Sequence, residues 1–150
     1  MNQTEQFDRK KTIKLLRSRN IAPTRPRVDI AAILFSKPQH VSADDLIELI
    51  RKNNIQVSRA TVYNTLSAFV DGGLLKKLFI SPTVLIYDSN TENHQHILNE
   101  ETGEITDLHD IDSESLKELA ALQLQKMDIP LKITDIQIFF KAKSTNSILQ

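Results

Sequence analysis

The segment from Ser58 to Asp88 restricts the folds open to this chain more than any other. It reads S-R-A-T-V-Y-N-T-L-S-A-F-V-D-G-G, then L-L-K-K-L-F-I-S-P-T-V-L-I-Y-D. Ser58 is a helix N-cap, and Gly72-Gly73 is a helix stop. Between them Val62, Leu66, Phe69 and Val70 fall at i, i+4, i+7 and i+8, a stripe that faces a core. The opposite arc holds Ala60, Asn64, Ser67 and Ala68, flanked by Thr61 and Tyr63. Solvated helix faces are usually rich in Lys and Glu. A face of small residues and one amide lets the backbone approach something closely, either another helix or the major groove of DNA. Two β-rich runs, 74–80 and 83–88, meet at Ser81-Pro82 as a hairpin, with Lys76 and Lys77 on its first strand.

Three helices are predicted upstream. The first, over residues 5–19, is basic, with Phe7, Ile13, Leu15 and Leu16 as its apolar positions. Pro23 breaks it. Thr24 caps the second, which has Pro26 in its first turn and ends at Lys37-Pro38. The third starts at Ser42 with Asp45 three residues on, a capping-box pattern, and ends at Asn53-Asn54. His40 lies in the turn just before that cap. Helices, then a small-faced helix, then a two-stranded wing is the order of a winged helix-turn-helix.

Charge supports the same division. The chain is neutral overall, but residues 1–77 hold 14 Lys+Arg against 7 Asp+Glu, and residues 78–150 hold 5 against 12. A basic first half points to an anionic partner, of which nucleic acid is the commonest. The DNA-contact candidates are Arg25, Ser58, Arg59, Thr61, Tyr63 and Asn64. Asn64 is suited to pair with adenine, Tyr63 to meet a thymine methyl or a phosphate, and Arg59 to meet phosphate at the helix N-terminus.

Past Asp88 the pattern changes. Short strands are expected at H-I-L-N and G-E-I-T-D-L, around a turn at Glu100–Gly103. A helix follows, capped by Asp112 or Ser113, with Leu116, Leu119, Ala120 and Leu124 as its stripe. A strand is expected over 131–143. A unit this small buries little by itself, and a second copy would cover it. The reading is therefore α+β: an N-terminal winged helix-turn-helix domain (1–88), a hinge (89–93) and a small C-terminal α/β dimerisation domain (94–150). No apolar run is long enough to span a bilayer and the N-terminus has no signal-peptide core, so a soluble cytoplasmic protein with no membrane partner is expected.

The chain has no cysteine, which excludes disulfides, thiolate metal sites and thiol catalysis. Any metal must be held by nitrogen and oxygen. The candidates are His40, Asp88, His94, His96 and Asp107. His94 and His96, two apart at a strand start, point to one face, and Asp107 closes the next strand. Such donors suit Mn(II), Fe(II), Zn(II) or Co(II) without selecting among them. Taken singly, each residue also fits a surface or turn position. His109 has no assigned role. A metal-dependent hydrolase would need a spare carboxylate as general base, and it would leave the small-residue face without purpose, so no enzyme is expected.

H-V-S-A-D-D-L, S-R-A-T-V-Y-N-T-L-S-A-F-V-D-G-G-L-L, Y-D-S-N-T-E-N-H-Q-H and G-E-I-T-D-L occur in this order. Together they resemble the ferric uptake regulator family of bacterial metal-responsive transcription factors, over about residues 10–142. The resemblance implies a DNA-binding homodimer. It also implies a regulatory metal site formed by His40, Asp88, His94, His96 and Asp107, in which the ion fixes the angle between the two domains. Where the family carries C-x-x-C for structural zinc, this chain has Asn99 and Thr102, so no structural four-cysteine zinc site is expected. A second histidine-rich site is replaced by Asn93, Gln95, Glu114 and Thr134. Asn64 stands where many relatives have arginine. The absence of cysteine, the Tyr63-Asn64 pair and the hinge motif most resemble the iron response regulator branch. That branch implies control of iron and haem homeostasis, with haem or Fe(II)/Mn(II) as the signal and His94 or His96 as the haem ligand. The alternative is a peroxide-sensing metal-dependent repressor of the same family.

Overall fold

The computed structural model describes residues 8–147; the expected helix positions Glu5, Gln6 and Phe7 lie outside them. The chain divides into two compact units between Thr91 and Glu92. The first runs α1 (Arg9–Ser18), α2 (Arg25–Leu34), β1 (His40–Val41), α3 (Ala43–Lys52), α4 (Arg59–Asp71), β2 (Lys76–Ser81) and β3 (Val84–Asp88). Three of its four helices start on a side-chain cap, whereas Thr24, expected to cap α2, stands at its N-cap without a side-chain hydrogen bond and leaves the start to Pro26 in the first turn. Asp8 caps α1, Ser42 and Asp45 form a complete capping box on α3, and Ser58 caps α4. At the other ends Asn20, Asn54 and Gly73 take positive φ. In each case the next residue donates back to the helix: Ile21 N–H to Leu16 O, Ile55 N–H to Ile50 O and Leu74 N–H to Phe69 O.

The core gathers the apolar stripes of all four helices. Leu16, Ile30, Leu34, Leu46, Leu66 and Phe69 are fully buried, and Phe69 packs on Phe35 with ring centroids 5.5 Å apart. Val62, Leu66 and Phe69 of α4 face inward as expected, while Ala60, Asn64 and Ser67 face out. The second helix ends at Leu34, a few residues before the expected Lys37-Pro38. Gln39 Nε2 donates to the carbonyls of Ile33 and Leu34, taking up two acceptors that another helical turn would have used.

The hairpin gains a third strand. Sheet order is β1-β3-β2, and His40 pairs with Asp88 and Val41 with Tyr87, both antiparallel. His40 therefore lies in a strand rather than in the turn that was expected. Two residues carry no periodicity, so nothing local marks this strand.

The second unit contains β4 (Gln95–Asn99), β5 (Ile105–Leu108), α5 (Glu114–Lys126) and β6 (Phe139–Ala142), with sheet order β5-β4-β6. β4 and β5 are antiparallel, with His96 opposite Asp107. The expected strand over 131–143 is shorter. Only Phe139–Ala142 is extended, and it lies parallel to β4 from His96 to Asn99. Ile138 still accepts from the His96 N–H at 3.2 Å, and residues 131–137 form no strand. Along α5 no residue is buried, and Leu116, Leu119 and Leu122 are each about half exposed. The cap is shared: Ser113 is the boundary residue, and Asp112 accepts hydrogen bonds from Ser115 N–H and Oγ. Among the described residues no helix is long and apolar enough to cross a membrane.

Candidate metal centre and nucleic-acid interface

In the first unit the β1–β3 pairing places the His40 imidazole against Asp88, with Nε2 3.4 Å from Oδ2. Asp88 is fully buried at the end of β3, and its Oδ1 accepts from the Asn90 N–H at 2.8 Å. Ser89 Oγ accepts from the Gln39 N–H at 2.9 Å, which locks the residue before His40 to the residue after Asp88. One nitrogen and one carboxylate oxygen are thus held by backbone pairing.

In the second unit His94, His96 and Asp107 converge. Nε2 of His94 lies 3.2 Å and Nε2 of His96 lies 3.7 Å from the same atom, Asp107 Oδ1. The rings of the two histidines meet edge to face at 4.5 Å, and Phe139 of β6 stacks on His96 at 5.2 Å. His94 Nδ1 sits 2.8 Å from the Glu92 carbonyl. A carbonyl only accepts, so Nδ1 carries a proton, and in the neutral ring Nε2 presents its lone pair. A lone pair aimed at a carboxylate oxygen is repulsive unless a proton or a cation lies between them. Both imidazole side chains are at most 5% exposed, so water screens this little. The three donors therefore fit a small cation, and all are nitrogen or oxygen, as expected for a chain without cysteine. His109, which had no role, lies beside His94 at 5.8 Å between ring centroids. The sequence reading missed Phe139 as the residue that orients His96. Its only local sign was the apolar run that ends in Phe139-Phe140.

The α4 candidates divide into two groups. Ser58 Oγ accepts from Thr61 N–H at 3.1 Å and lies 2.9 Å from Thr61 Oγ1, so these two hydroxyls serve the cap. Tyr63 is 46% exposed, and Asn64 also faces solvent. Arg25 lies at the start of α2, with Nε 3.8 Å from Asp29 Oδ2. Arg59 is bound to Asp44 of α3, Nη2 to Oδ1, at 2.6 Å. Asp44 and Tyr63 both raise the Arg59 pKa, Asp44 more strongly. Tyr87, behind this face on β3, has its phenol pKa raised mainly by burial.

Fold and site together define an α+β winged-helix protein with a small second unit that carries clustered imidazole and carboxylate donors. The chain belongs to the ferric uptake regulator family, which it matches over residues 18–138. It is 33% identical over 109 residues to the peroxide-responsive repressor PerR of Staphylococcus epidermidis, covering 73% of each chain. Among solved structures it resembles the ferric uptake regulator of Pseudomonas aeruginosa with manganese, at 24% identity and a TM-score of 0.63, covering 88% of this chain and 96% of that one. A zinc uptake regulator complexed with zinc and DNA aligns at 18% identity and a TM-score of 0.60, covering 99% and 97%. These structural likenesses bear on the fold. The relatives establish the family of metal-responsive regulators and do not single out the iron response regulator branch.

Proposed function

We propose that this chain is a DNA-binding transcriptional repressor whose affinity for its operator responds to a divalent ion, Fe(II) or Mn(II), held by His40, Asp88, His94, His96 and Asp107. The observation that carries the reading is the pair of imidazole Nε2 atoms directed at one oxygen of Asp107. His40 and Asp88, pinned together by β1 and β3, supply a second pair of donors. The ion supplies concentrated positive charge that three imidazoles and two carboxylates can share and, when it is iron, a reductant for peroxide. The chain's own residues do the rest. The Glu92 carbonyl sets the His94 tautomer, Phe139 fixes the His96 ring, and Asn90 orients Asp88. A ligand set drawn from the sheet of the DNA-reading unit and from the sheet of the second unit ties ion occupancy to the placement of α4.

The exposed face of α4, with Tyr63 and Asn64, reads the operator. A second copy of the chain covers Leu116, Leu119 and Leu122, and so provides two half-sites. Relatives named as peroxide-responsive repressors favour a peroxide signal, with iron as the ion and His40 or His94 as the side chain that is oxidised. Haem is disfavoured, because His94 and His96 are nearly fully buried and turned toward Asp107 rather than toward an open face.

The test is duplex binding by fluorescence anisotropy after chelation, with Mn(II) added back. Specific affinity should rise with the ion in the wild type and stay flat in His94→Ala and Asp107→Asn. Equal binding with and without ion overturns the proposal. Mass spectrometry after Fe(II) and peroxide should add oxygen to a His40 or His94 peptide; unmodified peptides overturn the peroxide reading.

A further inference from the structure

We infer that Asp44 is a positioning residue for DNA selectivity: it holds Arg59 in an internal pair that a DNA phosphate has to displace. This rests on α4 being the DNA-reading helix. Arg59 is the first residue of α4, and Asp44 is in the first turn of α3. Their 2.6 Å contact joins two helix N-termini, places where backbone N–H groups favour an anion. Neither side chain is buried, at 63% and 75% exposed, so the pair is open to exchange with a competing anion. It borders a groove of about 300 Å³ lined by Ser42, Asp44, Tyr63, Val84 and Tyr87, between the start of α3, α4 and the wing. Tyr63 also interacts with Arg59 from one helical turn along. The cation is thus shared between a carboxylate that opposes DNA and a tyrosine on the reading face.

Counterion accounting separates this role from a structural one. While Arg59 stays with Asp44 it neutralises no phosphate and releases no counterion, and exchange to a phosphate has first to give up that pair. With Asp44 neutral, the same arginine adds a full phosphate contact. Each such contact steepens log K against log[salt] by about 0.9. Wild-type protein therefore gains little from a backbone contact at Arg59 unless the rest of the α4 face fits its site. In this way Asp44 holds down binding to unmatched DNA.

The experiment compares wild type, Asp44→Asn and Asp44→Ser, the second variant keeping a short polar residue in the first turn of α3. Each is loaded with Mn(II) and titrated with a selected duplex and a scrambled one over a KCl series. Both variants should bind the scrambled duplex about two- to fivefold tighter at low salt, the range an exposed ion pair commands. Their salt slopes on the scrambled duplex should steepen by about 0.9 per bound chain, and the ratio of specific to scrambled affinity should fall. Adding Arg59→Gln to Asp44→Asn should return the slope to that of the wild type. Wild-type binding with an unchanged slope in both Asp44 variants overturns this inference alone. No duplex binding by the wild type overturns the DNA reading and this inference with it.

Discussion

Replacing Asn64 with alanine isolates sequence reading from everything else the chain does. Asn64 is exposed on α4 and lies outside the buried cluster of Val62, Leu66 and Phe69, so no core contact is lost. Alanine is the better helix former by roughly 0.5 kcal/mol, so the folded state should be unharmed or slightly stabilised. The side chain is neutral, so the count of phosphates neutralised should not change. What is lost is the paired donor and acceptor that an amide offers to an adenine edge, about 1–3 kcal/mol per half-site. That converts to a loss of about 5- to 150-fold in specific affinity for each half-site, multiplied together when a dimer reads two. The assay is fluorescence anisotropy on a duplex selected from a random library with the wild-type protein, alongside a scrambled duplex, at two salt concentrations. The expected result is a loss confined to the selected duplex, with the salt slope unchanged. Equal loss on both duplexes, or none on either, refutes a base contact by Asn64 and the reading of the small-residue face with it.

Three further outcomes follow from the packing and the caps. Phe69→Ala empties a fully buried site against Phe35 and should cost about 3–5 kcal/mol, measurable by urea denaturation followed by circular dichroism. Leu119→Asp places a charge in the exposed stripe of α5; light scattering should show a shift from dimer to monomer with secondary structure retained. The Asp112 carboxyl is held below its usual pKa by the hydrogen bonds from Ser115. A lowered folded-state pKa means its contribution is present above the unfolded value of 3.8 and is lost as pH falls below it. Protection factors of the amides at the start of α5, corrected for intrinsic exchange, should therefore fall on acidification in the wild type and depend less on pH in Asp112→Ala.

Much of the first unit was legible in the sequence because its signals are local. Ser42 with Asp45, Ser58, Asn54 and Gly73 mark helix ends by short-range hydrogen bonding, and the inward stripe of α4 follows from period alone. What escaped was set by pairing across long stretches of chain. β1 exists because His40 and Val41 find the free edge of β3, nearly fifty residues on, and no composition rule sees a two-residue strand. The Arg59–Asp44 pair joins two helices across 15 positions of sequence, a spacing no helical period marks. β6 pairs with β4 over only four residues, so most of the apolar run before it reads as strand without having a partner. The five candidate donors each fit a surface or turn position when taken singly, and their reading as one set comes from the family resemblance. The shared Asp107 oxygen, the His94 tautomer and the Phe139 stack depend on β4–β5 and β4–β6 register, which single-residue patterns do not encode.

The turn between β4 and β5 explains why the proposed ion is free to act as a signal. Asn99 and Thr102 lie where the family resemblance implies a C-x-x-C pair, and in this chain hydrogen bonds close the turn. Asn99 Oδ1 accepts from the Glu101 and Thr102 N–H groups at 2.9 and 3.3 Å. Gly103, at φ 75°, donates to Asn99 O, and Asn99 N–H donates to Glu104 O. Glu101 Oε2 takes the Ser144 N–H, and Glu100 N–H bonds Ala142 O, which fastens the same turn to β6. Each such bond contributes about 1 kcal/mol, far less than a structural zinc site, but none depends on metal supply or on thiol redox state. A regulatory ion has to leave a folded protein behind when it dissociates. Because the turn is held by Asn99, Thr102 and Glu101, losing an ion from His94, His96 and Asp107 removes a cross-link between donors and leaves the β4–β5 hairpin in place. A turn held in this way suits the proposed His/Asp set to reversible sensing.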